Sequence, residues 1–268
     1  MTGKLILGAT PIGNLGDVSH RLLETIQSAD ELWCEDTRIT RKILSHFGLK
    51  KTLRSFHEYS DQRTTEVVKT SLQNGRTLLY MSDAGMPGVA DPGFELVRLA
   101  REIGSGVDVI PGPSAVLTAL VLSGLPCHEF AFMGFFPEKE QAQLTLLKRL
   151  KELAMTTIYF ESPKRIKRTL LLLKLLMPQL EIAVCRELTK MHQSIYHGKP
   201  ETVLNDLDIE KGEIALVLGP VTESLPELSA EAYYQKLIET GSHPREALKK
   251  TAKLYKIQRR ELYDSINK

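Results

Sequence analysis

The sequence predicts an α/β protein built as two α/β domains with a small helical appendage. Three observations carry this. Short apolar runs alternate with helical patterns through residues 1–124. Between 125 and 222 the apolar runs more often follow one another directly, which suggests a mixed sheet. From Ser229 onward the pattern is purely helical.

In order, Lys4–Ala9 reads as a strand and Arg21–Ser28 as the helix after it. Glu31–Cys34 is a second strand, followed by a helix over Thr40–Phe47. Thr65–Leu72 is helical, Arg76–Met81 a strand, Glu95–Glu102 a helix and Val107–Ile110 a strand. Ser114–Leu122 closes the first domain as a helix opening after Pro111-Gly112-Pro113. Strands separated by helical crossovers imply a mainly parallel sheet covered on both faces. Ser123-Gly124-Leu125-Pro126 marks the boundary.

The second domain, 125–222, offers strands at Glu129–Met133, Thr156–Phe160, Glu181–Cys185, Gln193–Tyr196 and Glu213–Leu218. Its helices fall at Gln141–Leu153 and Lys164–Met177. Ser162 suits the N-cap of the latter and Pro163 its first turn, where a missing N–H costs nothing. The helical segment 223–268 has breaks around Gly241–Pro244 and at Tyr255-Lys256.

Composition narrows the function. Of 268 residues 42% are apolar and 25% charged, and the net charge is +2, so any nucleic-acid footprint is local. Three scattered cysteines without a CxxC argue against a disulfide framework and a zinc ribbon, and no metal site is expected, since His192 and His197 lie five apart without a third ligand. No apolar window approaches a membrane span and the N-terminal run is too short for a signal peptide, so a cytoplasmic protein is expected. There is no GxxxxGKS or GxxxxGKT, no GxGxxG after the first strand and no GxSxG. P-loop, nicotinamide and hydrolase chemistries therefore have no support.

The informative residues lie in three turn-rich segments, each after an expected strand: Ala9–Asp17, Ser82–Gly93 and Pro111–Ala115. Ligands of open α/β sheets bind beyond the carboxyl ends of strands. Glycine lets main chain approach a ligand, and proline fixes the turns. Together the three segments make a ligand site the better reading.

With these loops in view, ATPIGNLGD, EDTR (Glu35–Arg38), SDAGMPGVADPG, PGPSA, FESPKR (Phe160–Arg165) and RELTK (Arg186–Lys190) resemble the signature of the tetrapyrrole-methylase superfamily. EDTR and FESPKR are similar to its ribosomal RNA-modifying branch. The resemblance runs from Lys4 to about Pro220. It implies a tetrapyrrole-methylase-like fold with an active-site cleft between two domains, S-adenosylmethionine as cofactor, and usually a homodimer. It also implies methyl transfer to the ribose 2′-oxygen of a decoding-centre cytidine in 16S rRNA of the small ribosomal subunit. Methylation of a tetrapyrrole precursor, and a non-catalytic RNA-binding role in ribosome assembly, are the alternatives.

On this resemblance Thr10, Pro11, Gly13, Ser82, Asp83, Ala84, Gly85, Asp91, Pro113, Ser114 and Ala115 are the cofactor-binding candidates. Asp83 could favour a cationic sulfonium, and the helix start at Ser114 a carboxylate. Arg186, Glu187 and Lys190 are candidate catalytic residues or a solvated ion-pair cluster. Glu35, Asp36 and Arg38 could assist or merely order a loop. For RNA the candidates are Lys164 and Arg165, with Lys167 and Arg168 in the same cluster, and Lys249, Lys250, Lys253 and Lys256. The last four lie in a stretch, Gly241–Arg260, with seven Lys or Arg against one acid.

Overall fold

The computed structural model describes residues 2–221, 229–239 and 241–267. The start of the expected helical segment, 223–228, lies outside them. The chain divides into two compact units. One comprises Met1–Leu122, Cys185–Ile195 and Glu213–Ala215; the other comprises Ser123–Val184, Tyr196–Gly212 and Leu216–Lys268. The segment carrying RELTK thus groups with the N-terminal residues, although the sequence places it in the second domain.

The first unit holds a five-stranded sheet made of β1 (Lys4–Gly8), β2 (Glu31–Cys34), β3 (Leu53–Ser55), β4 (Thr77–Met81) and β5 (Gly106–Ile110). Their order is β3-β2-β4-β1-β5, and every neighbouring pair is parallel. The crossovers are α1 (His20–Ser28), α2 (Thr37–His46), α3 (Gln62–Gln73) and α4 (Gly93–Glu102), with α5 (Ala115–Ser123) after β5. Central strands are buried on both faces, so they read as continuous apolar runs. Leu5, Leu7, Trp33, Tyr80 and Leu96 pack on one side, and Leu22, Ile26, Leu32, Ile43 and Leu79 on the other.

Side-chain caps set the helix starts. Asp36 accepts from the N–H of Arg38, which starts α2 three residues before its apolar pattern; Asp61 does the same for α3 through Thr64. The sequence reading misses β3. It is three residues long, mostly solvent-facing, and becomes a strand through its register with Leu32–Cys34.

The other sheet is ordered β6-β7-β10-β8-β9, from β6 (Phe130–Phe135), β7 (Thr156–Glu161), β8 (Ile182–Arg186), β9 (Ser194–Gly198) and β10 (Ile214–Leu218). β6 and β7 are parallel, with a register shift between Phe132 and Phe135. Its helices are α6 (Glu140–Leu153), α7 (Pro163–Leu176) and α8 (Pro200–Asp206). Ser162 caps α7 as expected, with Pro163 in the first turn. Helix α8 is absent from the sequence reading, since Pro200 and Val203 alone give it a buried face.

Three further helices, α9 (Ala230–Glu239), α10 (Pro244–Tyr255) and α11 (Arg259–Ile266), follow, with breaks where the sequence puts them. Tyr233, Leu237 and Ala247 pack against Leu175 of α7. No helix among the described residues is long and apolar enough to cross a membrane.

Candidate active site

The three turn-rich segments leave β1, β4 and β5, which are adjacent in the sheet, so one edge gathers all of them. Hydrogen bonds stitch them together. Thr10 and Gly85 exchange backbone bonds of 2.9 and 3.1 Å as an antiparallel bridge, and the Thr10 hydroxyl donates to the Ser82 carbonyl at 3.1 Å. Gly85 has φ +80°, and a Cβ there would lie 3.2 Å from the Ile12 side chain and 3.6 Å from the Pro113 carbonyl. A Cβ on Gly112 would collide with that of Ala9 at 2.9 Å. Main chain from all three loops thus meets at glycines, without strain. Ser114 accepts from the N–H of Leu117 at 3.4 Å, in the manner of an N-cap for α5.

Carboxylates line the neighbouring strand ends. Asp83 accepts from the N–H of Asp36 at 2.9 Å, and its own N–H donates to Glu35 at 3.3 Å, a reciprocal tie between the loops after β2 and β4. Burial pushes both the Glu35 and Asp83 carboxyls above their usual range. A backbone hydrogen bond to each pulls back, and mutual repulsion with Asp36 and Asp91 adds to the rise. Asp36 is opposite. Hydrogen bonds from Arg38 hold it at about 2, and Arg38 itself projects into solvent. EDTR is therefore an exposed cap and ion pair at the head of α2, with Glu35 turned toward Asp83.

Asp91 spends its oxygens on its own loop, accepting from Gly88 and Gly93 N–H groups at 2.8–2.9 Å. The buried Tyr80 hydroxyl has no hydrogen-bond partner among the described residues. Burial and the charges of Asp91, Glu35 and Asp83 raise its pKa.

The candidate catalytic residues form a tight turn. The Lys190 ammonium lies 2.9 Å from Glu187 and 3.0 Å from Glu213, and Glu187 also accepts from the Glu213 N–H at 2.9 Å. Arg186 donates to the His192 carbonyl. Partial burial works against the charge on Glu187, but the Lys190 and Glu213 bonds hold its carboxyl below the usual range. Burial likewise opposes the ammonium of Lys190, and its two carboxylate partners outweigh that and raise its pKa. Lys190 is thus held protonated, which favours a cation over a base. Glu187 and Thr189 adopt φ of +50° and +64°, a strained backbone for side-chain-bearing residues.

This turn lies against the first loop. A Cβ on Gly13 would fall 2.4 Å from the Lys190 side chain and 2.9 Å from the Leu188 carbonyl. Nothing in the sequence signals that proximity, because the two segments lie some 175 residues apart.

The RNA candidates fare differently. Arg165 is committed inside the fold. It pairs with buried Glu161 at 2.6 Å and with Glu138 at 2.7 Å, and donates to the Phe136 carbonyl. Lys164, Lys167 and Arg168 are exposed. On α10, Ala247, Thr251 and Ala252 face inward, while Lys249, Lys250, Lys253 and the following Lys256 are exposed and form no ion pairs among the described residues. No cluster of metal-binding side chains occurs among the described residues.

Residues 4–204 match the family model described as Tetrapyrrole (Corrin/Porphyrin) Methylases. "Ribosomal RNA small subunit methyltransferase I" of Halalkalibacterium halodurans is 38% identical over 98% of this chain and 94% of its own. The protein of the same name from Xylella fastidiosa is 37% identical over 97% and 98%. That from Thermotoga maritima is 38% identical over 98% of its own length but only 81% of this chain. Among solved structures, a diphthine synthase aligns with a TM-score of 0.65 at 16% identity, covering 80% of this chain and 90% of that one. The uroporphyrin-III-C-methyltransferase of Thermus thermophilus aligns at 0.55 and 19% identity, covering 82% and 93%. At such identities the likeness is one of fold.

Proposed function

Because the chain belongs to the tetrapyrrole (corrin/porphyrin) methylase family, together with the small-subunit ribosomal RNA methyltransferase I proteins, we propose that it methylates the ribose 2′-oxygen of a decoding-centre cytidine in 16S rRNA, using S-adenosylmethionine. The observation that carries this reading is the packing of the Lys190 turn on Gly13, which puts a fixed cation beside three glycine-lined loops.

The residues present fit that cofactor. Bare main chain at Gly85 and Gly112 permits close approach, the opening turn of α5 at Ser114 suits a carboxylate, and Asp83 suits a cationic centre. When bound, S-adenosylmethionine supplies an electrophilic methyl group. The protein's own part is alignment and charge. Fixed geometry removes much of the entropic barrier, and the Lys190 ammonium stabilises oxyanion character on the attacking hydroxyl. Lys164 and the α10 lysines hold the RNA backbone, the enzyme works in the cytoplasm, and a second copy of the chain completes a homodimer.

The test is labelled methyl transfer to unmethylated small subunits, naked rRNA and a porphyrinoid in parallel, with Gly85→Val as a second arm. Label is expected in rRNA, recovered as 2′-O-methylcytidine. The folded variant should neither bind S-adenosylmethionine in calorimetry nor transfer label, since a branched side chain is strained at that φ. Label on the porphyrinoid alone would reassign the enzyme to small-molecule chemistry.

A further inference from the structure

Resting on that reading, we propose that the start of α2 and the turn between β3 and α3 form a second RNA-binding surface, in which Tyr59 stacks on an unpaired base and Arg41, Lys42 and Arg63 hold the flanking phosphates. This surface belongs to the first unit, whereas the α10 lysines belong to the second.

The turn is built to present one ring. Phe56 is buried and packs edge-on against Tyr80, with ring centroids 6.4 Å apart. Beyond it, the His57 N–H donates to the Ser60 hydroxyl at 2.9 Å and the Ser60 N–H to the His57 carbonyl at 2.8 Å. The Tyr59 N–H donates to Nδ1 of His57 at 3.2 Å. Four residues thus close on themselves, and Tyr59 at their tip is 86% exposed. An aromatic side chain fixed at its base and open on its faces can stack on a splayed base at little entropic cost. A base inside a duplex offers it no face.

The helices flanking this turn carry cations. The Phe56 N–H donates to the Cys34 carbonyl at 2.8 Å, and the Ser55 hydroxyl to the Glu35 carbonyl at 3.0 Å. The chain leaving β3 is therefore tied to the chain leaving β2, three residues before α2 begins. Helix α2 carries Arg38, Arg41 and Lys42 with no acid of its own. Arg41, Lys42 and Arg63 are exposed and form no ion pair among the described residues. The nearby acids Asp36 and Asp61 serve as helix caps but keep their charge, Asp36 in an ion pair with Arg38, and Glu58 is a further exposed acid.

Position favours the same partner. β3 and β1 stand three strand spacings apart in the sheet, roughly 14 Å, so the turn lies within a few nucleotides of the cofactor loops.

The experiment compares Tyr59→Ala, Tyr59→Phe and an Arg41→Gln/Lys42→Gln double variant with the parent. Binding is measured to a single-stranded oligoribonucleotide, to an RNA duplex of equal length and to unmethylated small subunits, and S-adenosylmethionine affinity by calorimetry. Tyr59→Ala should weaken single-strand binding about tenfold and Tyr59→Phe should restore it, with duplex binding unmoved. The double variant should flatten the slope of log affinity against log salt by about 1.4. Cofactor affinity should stay constant throughout. Single-strand binding of Tyr59→Ala within twofold of the parent, or no RNA binding by the parent, overturns the proposal. Loss confined to subunits and absent on RNA would identify a protein partner and overturn it equally. Failure of the parent to methylate rRNA sinks the functional reading instead, while the parent–variant difference in RNA binding still decides this surface.

Discussion

Lys190 concentrates the chemistry of the candidate site in one side chain. Its stem lies against Gly13 and its ammonium between Glu187 and Glu213. The raised pKa of Lys190 makes its part of the ion pair fully present below the ordinary lysine value and lost only as pH rises through the raised one. The lowered pKa of Glu187 makes its part present above the ordinary carboxylate value and lost as pH falls through the lowered one. The pair therefore spans the neutral range. Lys190→Met is expected to cut turnover by about a hundred- to a thousandfold with S-adenosylmethionine affinity intact, the scale of removing one electrostatic donor. The parent's rate should show no rise between about pH 7 and 8 assignable to this lysine, because a catalytic base would need a depressed pKa there. Turnover of the variant within twofold of the parent would remove Lys190 from the mechanism.

Helix α10 shows how one element can serve packing and recognition together. Ala247, Thr251 and Ala252 are small enough to seat it closely, and the ring of its last residue, Tyr255, meets that of Tyr233 on α9 at 5.8 Å. Its lysines are left to solvent on the remaining arc, as helical periodicity requires. Replacing Lys249, Lys250, Lys253 and Lys256 with Gln should weaken subunit binding and lower the salt slope by about one for each phosphate no longer neutralised. Cofactor affinity should not move. An unchanged affinity and slope would reduce the four lysines to a solvated face. Periodicity made α10 readable in the sequence, but it failed for β3 and α8. The single apolar residue of β3, Leu53, and the few of α8 carry no period, and pairing with β2 or packing on α7 creates these elements.

For the molecule as a whole, the apolar surface of α5 bears on assembly. That helix is apolar nearly all round, and Leu117 and Val121 lie one turn apart on its outer side, Val121 at 76% exposure. Large apolar side chains spaced this way suit a partner better than water. The proposed homodimer therefore predicts that Val121→Asp sediments as a monomer while the parent sediments at twice the mass of its 30.1 kDa chain. A monomeric parent would leave the face of α5 without that explanation.

The sequence by itself determined the parallel α/β character of the first sheet, the three loops after its strands and the helical breaks of the C-terminal segment. These are local matters of periodicity, capping and turn chemistry, which neighbouring residues decide. Its motifs were also enough to indicate the family. Tertiary structure alone decided which loops meet. The order β4-β1-β5 sets Thr10, Gly85 and Gly112 side by side, and the Lys190 turn reaches Gly13 across a long separation in sequence. It also decided the fate of charges that look equivalent in sequence. Arg165 faces the buried carboxylate of Glu161 and is consumed by it, while Lys164, one residue earlier on the same helix, points to solvent. A charge's partner is set by what lies across the packed interface, and residue type and spacing do not encode that.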